Sequence, residues 1–183
     1  MADDDLQLLE GIKNQQQASL EAFYRKYENS VYRFALSKLN NSFDASDIVN
    51  EVMMEVWKNA HRFEGRSKVS TWLLGIAHHK IIDLFRKRKK NEVDIDEAND
   101  IADDSFNMEQ VLQGIENSKF IQKCLERLKG DHKQAVHLLF FKDYSYDEIA
   151  EVIECPVGTV KSRIHHAKVS LKKCLQKFIQ AGS

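Results

Sequence analysis

Hydrophobic positions recur along most of this chain at three- and four-residue spacing, and sustained two-residue alternation is rare. The pattern predicts helices throughout, in two groups separated by a stretch with no sustained apolar period. Leu6, Leu9 and Ile12 predict a short opening helix. Leu20, Phe23, Tyr24, Tyr27, Val31, Phe34, Ala35 and Leu39 predict a long second one, broken by Asn40-Asn41-Ser42. A third has Asp44 as its expected cap and buries Ile48, Val49, Val52, Met53, Val56 and Trp57. Its outer side offers Asp47, Asn50, Glu51, Met54 and Glu55, an acidic face with one apolar residue in it.

After Phe63 a loop, Glu64-Gly-Arg-Ser-Lys-Val69, opens into a fourth helix with Ser70 as its expected cap. That helix places Leu73, Ile76, Ala77, Ile81, Leu84 and Phe85 inward. Trp72, His79, Asp83 and Arg86 lie on the other side, and the run Arg86-Lys-Arg-Lys-Lys90 follows. From Phe120 the helical period resumes through Ile121, Leu125 and Leu128, then Val136, Leu139 and Phe140.

The segment from Tyr144 to Lys168 predicts two short helices joined by a tight turn. Ile149, Ala150 and Ile153 form the inner stripe of the first. Pro156, the single proline, is expected to end it and to open the next. Val157, Val160, Ile164, Ala167 and Leu171 then share one side, with Lys161, Ser162, His165 and His166 on or near the other. A helix-turn-helix presents such a face to the DNA major groove, where Lys, Ser and His can meet base edges or phosphates. A small amphipathic hairpin with a solvated face is the plainer reading of the same residues.

Charge sharpens the division. The 183 residues carry a net charge of only −1, but it is unevenly spread. Residues 1–60 sum to −4, 61–90 to +7, 91–117 to −9 and 118–183 to +5. The two basic zones are where a polyanion would bind. The acidic stretch between them predicts a self-repelling, extended linker and hence a domain boundary. Beside the exposed Trp72 and the basic loop, the cations at 86–90 predict a phosphate-tracking surface with a platform for an unstacked base.

Other chemistry is sparse. The sequence predicts neither a membrane span nor a signal segment, and a cytoplasmic protein is expected. Cys124, Cys155 and Cys174 fall at apolar helical positions and predict buried, reduced thiols. They and the seven histidines lack the paired short spacings of a zinc site, so no metal or other cofactor is expected. Gly-rich phosphate loops, triad spacings and metal-carboxylate clusters are missing too, which argues against an enzyme. A stand-alone repressor or activator with the same C-terminal module would need a dimer interface, ligand site or phosphorylation site in residues 1–90, and the sequence offers none.

Four runs resemble, in order, sigma factors of the extracytoplasmic-function (ECF) class in the sigma-70 family. Asp44-Ala-Ser-Asp-Ile-Val-Asn-Glu-Val-Met53 with Val56-Trp57 resembles region 2.2. Phe63-Glu-Gly-Arg-Ser67 with Ser70-Thr-Trp-Leu73, Ile76-Ala77, Asp83 and Arg86 resembles regions 2.3 and 2.4. Ser145-Tyr-Asp-Glu-Ile-Ala150 and Cys155-Pro-Val-Gly-Thr-Val-Lys-Ser-Arg163 resemble region 4.2.

The resemblance implies an all-α protein of two small domains. These are a region 2 bundle at 1–90 and a region 4 helix-turn-helix at 118–183, joined by a flexible acidic linker at 91–117. It implies a non-catalytic subunit that binds core RNA polymerase at the β′ clamp helices and β flap, and promoter DNA at two elements. Asp47, Asn50, Glu51 and Met54 would bind polymerase. Phe63, Arg66, Ser67, Trp72, His79, Arg86, Lys87 and Arg88 would recognise and melt the −10 element. Lys161, Ser162, Arg163, His165 and His166 would serve the −35 element, Arg163 through phosphate. An anti-sigma factor is implied as a further partner, without membrane insertion of this chain. His79 and His166 depart from the Asn and Arg that many relatives carry there, and Lys129-Gly130 replaces the usual Leu-Pro type of break.

Overall fold

The computed structural model describes residues 2–89 and 119–181, so the expected acidic linker lies outside the described residues. Those residues are helical and contain no strand. They form two compact units, the first built from four helices and the second from four more.

In the first unit, α1 (Ala2–Lys13) packs Leu9 and Ile12 against α2 (Gln17–Leu39). The turn between them is tight: the Gln16 N–H donates to the Gly11 carbonyl at 3.0 Å. A Cβ on Gly11 would collide with the Ser19 hydroxyl, so only glycine fits this approach. Along α2, Phe23, Tyr27, Val31, Phe34 and Ala35 are buried, following the predicted stripe. Asn40 closes the helix in the left-handed region, its N–H on the Leu36 carbonyl at 3.0 Å.

The third helix, α3, spans Ser42–Asn59. Its cap is Asn41 and not Asp44. The Asn41 side chain accepts from the Phe43 and Asp44 N–H groups at 2.9 and 3.2 Å, leaving Asp44 inside the first turn. Ala45, Ile48, Val49, Val52, Met53 and Val56 are buried, while Trp57 is only half-buried.

A single 3-10 turn, Ala60–Arg62, leads to the loop before α4 (Val69–Lys89). Ser70 lies within the first turn of α4 and is not its cap, because the Trp72 N–H already bonds the Lys68 carbonyl at 3.0 Å. The inward stripe is Leu73, Leu74, Ala77 and Ile81. Phe85, expected inside, is exposed near the helix end.

In the second unit, α5 (Lys119–Glu126) and α6 (Gly130–Phe141) both pack on α8 (Val157–Ala181). The short α7 (Tyr146–Val152) opens with a reciprocal cap. The Glu148 N–H bonds the Ser145 hydroxyl at 3.2 Å, and the Ser145 N–H bonds the Glu148 carboxylate at 2.9 Å.

Pro156 does not end α7. The helix stops at Val152, Glu154 turns left-handed at φ 46°, and the Cys155 N–H caps the Ala150 carbonyl at 3.2 Å. Pro156 instead stands before α8, where its carbonyl accepts from Thr159 and Val160. Val160, Ile164, Ala167 and Leu171 are the buried stripe of α8.

The expectation of three reduced thiols is overturned at two positions. Cys124 on α5 and Cys174 on α8 form a disulfide across the seam of the two helices, with Cα atoms 5.8 Å apart. Periodicity places both on inward faces but cannot show that the faces oppose each other. Cys155 is free and half-buried.

Candidate nucleic-acid interface

The first residues of α8 carry a polar face opposite the buried stripe. Lys161 and Ser162 are exposed, and His165 and His166 are half-buried one turn further on. Positions four apart share a helix face, so Lys161 lies in line with His165 and Ser162 with His166. The His165 and His166 rings meet edge-on at 5.6 Å. His132, from the start of α6, stacks on His166 at 6.0 Å with the planes 16° apart. Nothing in the pattern around His132 announces that contact, because it depends on how α6 crosses α8.

Arg163 is placed differently from its neighbours. Its side chain leaves the polar face for the ion pair with Asp131 of α6 at 3.1 Å, and it also lies 3.8 Å from the Cys155 sulfur. One guanidinium thus ties the helix-turn-helix turn to α6. Nearby, burial pushes the Lys133 ammonium down from its usual value, with Glu126 acting the other way.

In the first unit the basic candidates gather along the loop and α4. Phe63 and Trp72 bring their rings to 5.3 Å at a 59° tilt, and both are half-buried. Trp72 is therefore neither a core residue nor a bare platform: one side of the indole is held by Phe63. Arg66 is exposed and pairs with Glu64 at 2.6 Å; Ser67 is half-buried. His79 is exposed two turns beyond Trp72 on the same face of α4.

Arg86 pairs with Asp83 at 3.3 Å, Lys87 is exposed, and Arg88 reaches Asp44 of α3 at 2.7 Å. Asp44, freed from capping, thus holds one cation of the basic run.

On α3, Asp47, Asn50, Glu51 and Met54 are exposed together, as their spacing predicts. Glu55 does not join them. It turns to Lys80 of α4 at 3.2 Å and to the Asn59 amide at 2.8 Å. Burial pushes its carboxyl up, but the Lys80 ammonium and the Asn59 amide outweigh that and hold it below the usual value.

The stripe gains a member that hydrophobic patterning overlooks: Phe43, 83% exposed, lies one turn before Asp47. Beside this face, Tyr24, Glu28, Asn29 and Tyr32 of α2 and Ser46, Val49 and Asn50 of α3 line an open groove of about 370 Å³.

Comparison with known proteins gives this arrangement a family. The model for sigma-70 region 2 matches residues 23–91, and that for sigma-70 region 4 matches residues 121–171. The ECF RNA polymerase sigma factor SigW of Bacillus subtilis (strain 168) is 31% identical over 82% of this chain and 85% of its own. The chain belongs to the ECF class of the sigma-70 family.

RNA polymerase sigma factor YlaC of the same organism is 27% identical to this sigma factor over 87% of the chain and 93% of its own. Among solved structures, the sigma factor RpoE of Bartonella quintana, in complex with the anti-sigma factor NepR, matches the fold with a TM-score of 0.64. That match is at 24% identity and covers 85% of this chain and 98% of the other.

As a family member the chain is a specificity factor for transcription initiation. No helix among the described residues is long and apolar enough to cross a membrane. Nor do those residues gather three His, Cys, Asp or Glu side chains in a way that could hold a metal ion.

Proposed function

We propose that this sigma factor directs core RNA polymerase to promoters by dividing the work between two modules. Residues 1–90 bind polymerase and open the −10 element, 91–117 tether, and 118–183 read the −35 element. The observation that carries this reading is the polar face of α8. Lys161 and Ser162 are exposed there, with His165 and His166 in line behind them on a helix whose opposite side is core.

Each site then has a role suited to its chemistry. Lys161, Ser162, His165 and His166 meet base edges and phosphates of duplex DNA. Arg163, engaged by Asp131, supports the reading helix and reaches phosphate only by leaving that pair.

Near −10, Phe63 and Trp72 offer a face to a base turned out of the duplex. Stacking of this kind contributes roughly 1–3 kcal/mol per base and so offsets part of the unpairing. Arg66, Ser67, His79, Arg86, Lys87 and Arg88 follow the phosphates of the unpaired strand.

Asp47, Asn50, Glu51 and Met54 dock on the β′ clamp helices, and the second module contacts the β flap. The subunit is non-catalytic: polymerase makes the phosphodiester bonds, and this chain needs no cofactor of its own. Work with polymerase places it in the cytoplasm. RpoE is found in complex with the anti-sigma factor NepR, and we infer that an anti-sigma partner of this chain would cover the faces named above and hold the subunit inactive.

Purified core polymerase with and without the full chain, followed by mapping of transcript starts on genomic DNA, tests the reading. New starts sharing two spaced elements are expected. Core polymerase that gains no start site on addition of the chain would refute it.

A further inference from the structure

The Cys124–Cys174 bond joins two helices of the module that carries the polar face. Under the proposed function, this protein works beside polymerase in a reducing compartment. Disulfides there are usually transient and catalytic or redox-sensing. We propose that Cys124 and Cys174 are an oxidation site, reactive toward hydroperoxides, whose bonded form is the DNA-competent state of the second module. The compartment and the DNA readout rest on the proposed function; the bond itself and its effect on stability do not.

The placement of the two sulfurs gives the order of events. Cys124 is buried at 1% exposure, whereas Cys174 is half-buried and has the Arg127 guanidinium 3.9 Å from its sulfur. A neighbouring cation favours the thiolate, which is the nucleophile. Cys174 thiolate attacks one peroxide oxygen, the O–O bond breaks, and the departing oxygen takes a proton to leave as water or an alcohol. The resulting sulfenic acid meets the Cys124 thiol, the S–S bond forms, and the hydroxyl leaves as water with the Cys124 proton. Two electrons pass from the thiol pair to the peroxide. A dithiol reductant reverses the step by exchange.

The consequence follows from which helices are joined. α5 has eight residues, too few for a helix to hold on its own in water, and it depends on packing against α8. Ile121 and Cys124 form its buried seam, Leu128 is buried just past its end, and Ala167 and Leu171 belong to the buried stripe of α8. The bond closes a loop with a sequence separation of 50, so it removes many conformations from the unfolded chain. α6, α7 and the polar residues of α8 all lie inside that loop. Cys155 also lies inside it but has no part in the bond.

The test uses the full chain, reduced and then treated with hydrogen peroxide. Peptide mapping of the oxidised protein should find the fragments containing Cys124 and Cys174 joined, with a mass loss of two hydrogens. The oxidised protein should melt in its second module roughly 10 °C above the reduced one. It should also drive more −35-dependent transcription with core polymerase.

Cys155→Ser should respond like wild type, and Cys174→Ala should lose the response to peroxide. Comparing reduced with oxidised wild type avoids dependence on how well any variant folds. Failure to find the joined fragments at any peroxide concentration would overturn the proposal, as would equal melting of the two forms. Joined fragments and a raised melting temperature without transcription in either form would leave the oxidation site standing and count against the proposed function. Transcription that is equal in both forms would overturn the link to DNA binding.

Discussion

Arg163 and Asp131 hold the turn of the helix-turn-helix to α6 by an ion pair of 3.1 Å that is a quarter exposed on the arginine side. Removing either partner should therefore loosen the packing of α8 on α6 as well as alter charge. Asp131→Ala and Arg163→Ala are each expected to destabilise the second module by about 1 kcal/mol. Their double variant should lose less than the sum of the two. Thermal melts in a double-mutant cycle check this, and strict additivity would show that the pair is not coupled.

Lys161 makes the contrasting case, since it is exposed, away from the buried stripe of α8. Lys161→Ala should leave the melting temperature unchanged and lower −35-dependent transcription roughly ten-fold. If the contact is to phosphate, the slope of log affinity against log salt should also fall by about one. Core polymerase binding, measured in the same preparations, should stay as it was. Equal loss of both activities would remove Lys161 from the −35 assignment.

The contrast between these two neighbours shows what sequence can and cannot reveal. Helical period alone places Val160, Ile164, Ala167 and Leu171 inside and Lys161 and Ser162 outside, because that division depends only on 3.6 residues per turn. Where Arg163 points depends on α6 crossing α8 with an acid at the contact, and no local window contains that. The disulfide is hidden for the same reason: Cys124 and Cys174 are each legible as inward-facing, but their opposition is a tertiary fact.

At helix ends the errors are of a different kind. Asp44 and Asn41 are both good caps, and Ser70 is an ordinary capping residue as well. The choice among such candidates is made by where the chain can turn. Asn40 in the left-handed region fixes Asn41 as the entry to α3, and the loop before Val69 brings the Lys68 carbonyl to the first bond of α4.

The α3 stripe predicts its own dissection. Phe43 is 83% exposed and Met54 is 52% exposed, flanking the acids Asp47 and Glu51. Asp47→Lys with Glu51→Lys should weaken core polymerase binding, because the two changes reverse the charge of the face proposed to dock there. Phe43→Ala should weaken it about ten-fold through loss of a buried contact at the interface. Circular dichroism should find both variants folded, since neither change touches the core. Fluorescence titration of labelled protein with core polymerase is the measurement, and wild-type affinity in both would rule out this face.

Glu55 predicts a pH dependence of stability, because its carboxyl is held below the usual 4.5 by Lys80 and Asn59 despite the opposing effect of burial. A carboxyl with a lowered value in the folded state binds its proton more weakly there than in the unfolded chain. Its contribution is therefore complete above the ordinary value of 4.5 and is lost as pH falls through the lower folded one. Glu55→Gln should destabilise the first unit by up to about 1 kcal/mol at neutral pH, since both partners are partly exposed. The gap between wild type and variant should narrow below pH 4.5 and close once Glu55 is protonated in both states. Urea unfolding of the two proteins across that range measures the gap directly. A gap that stays constant with pH would mean that Glu55 acts through packing and not through its charge.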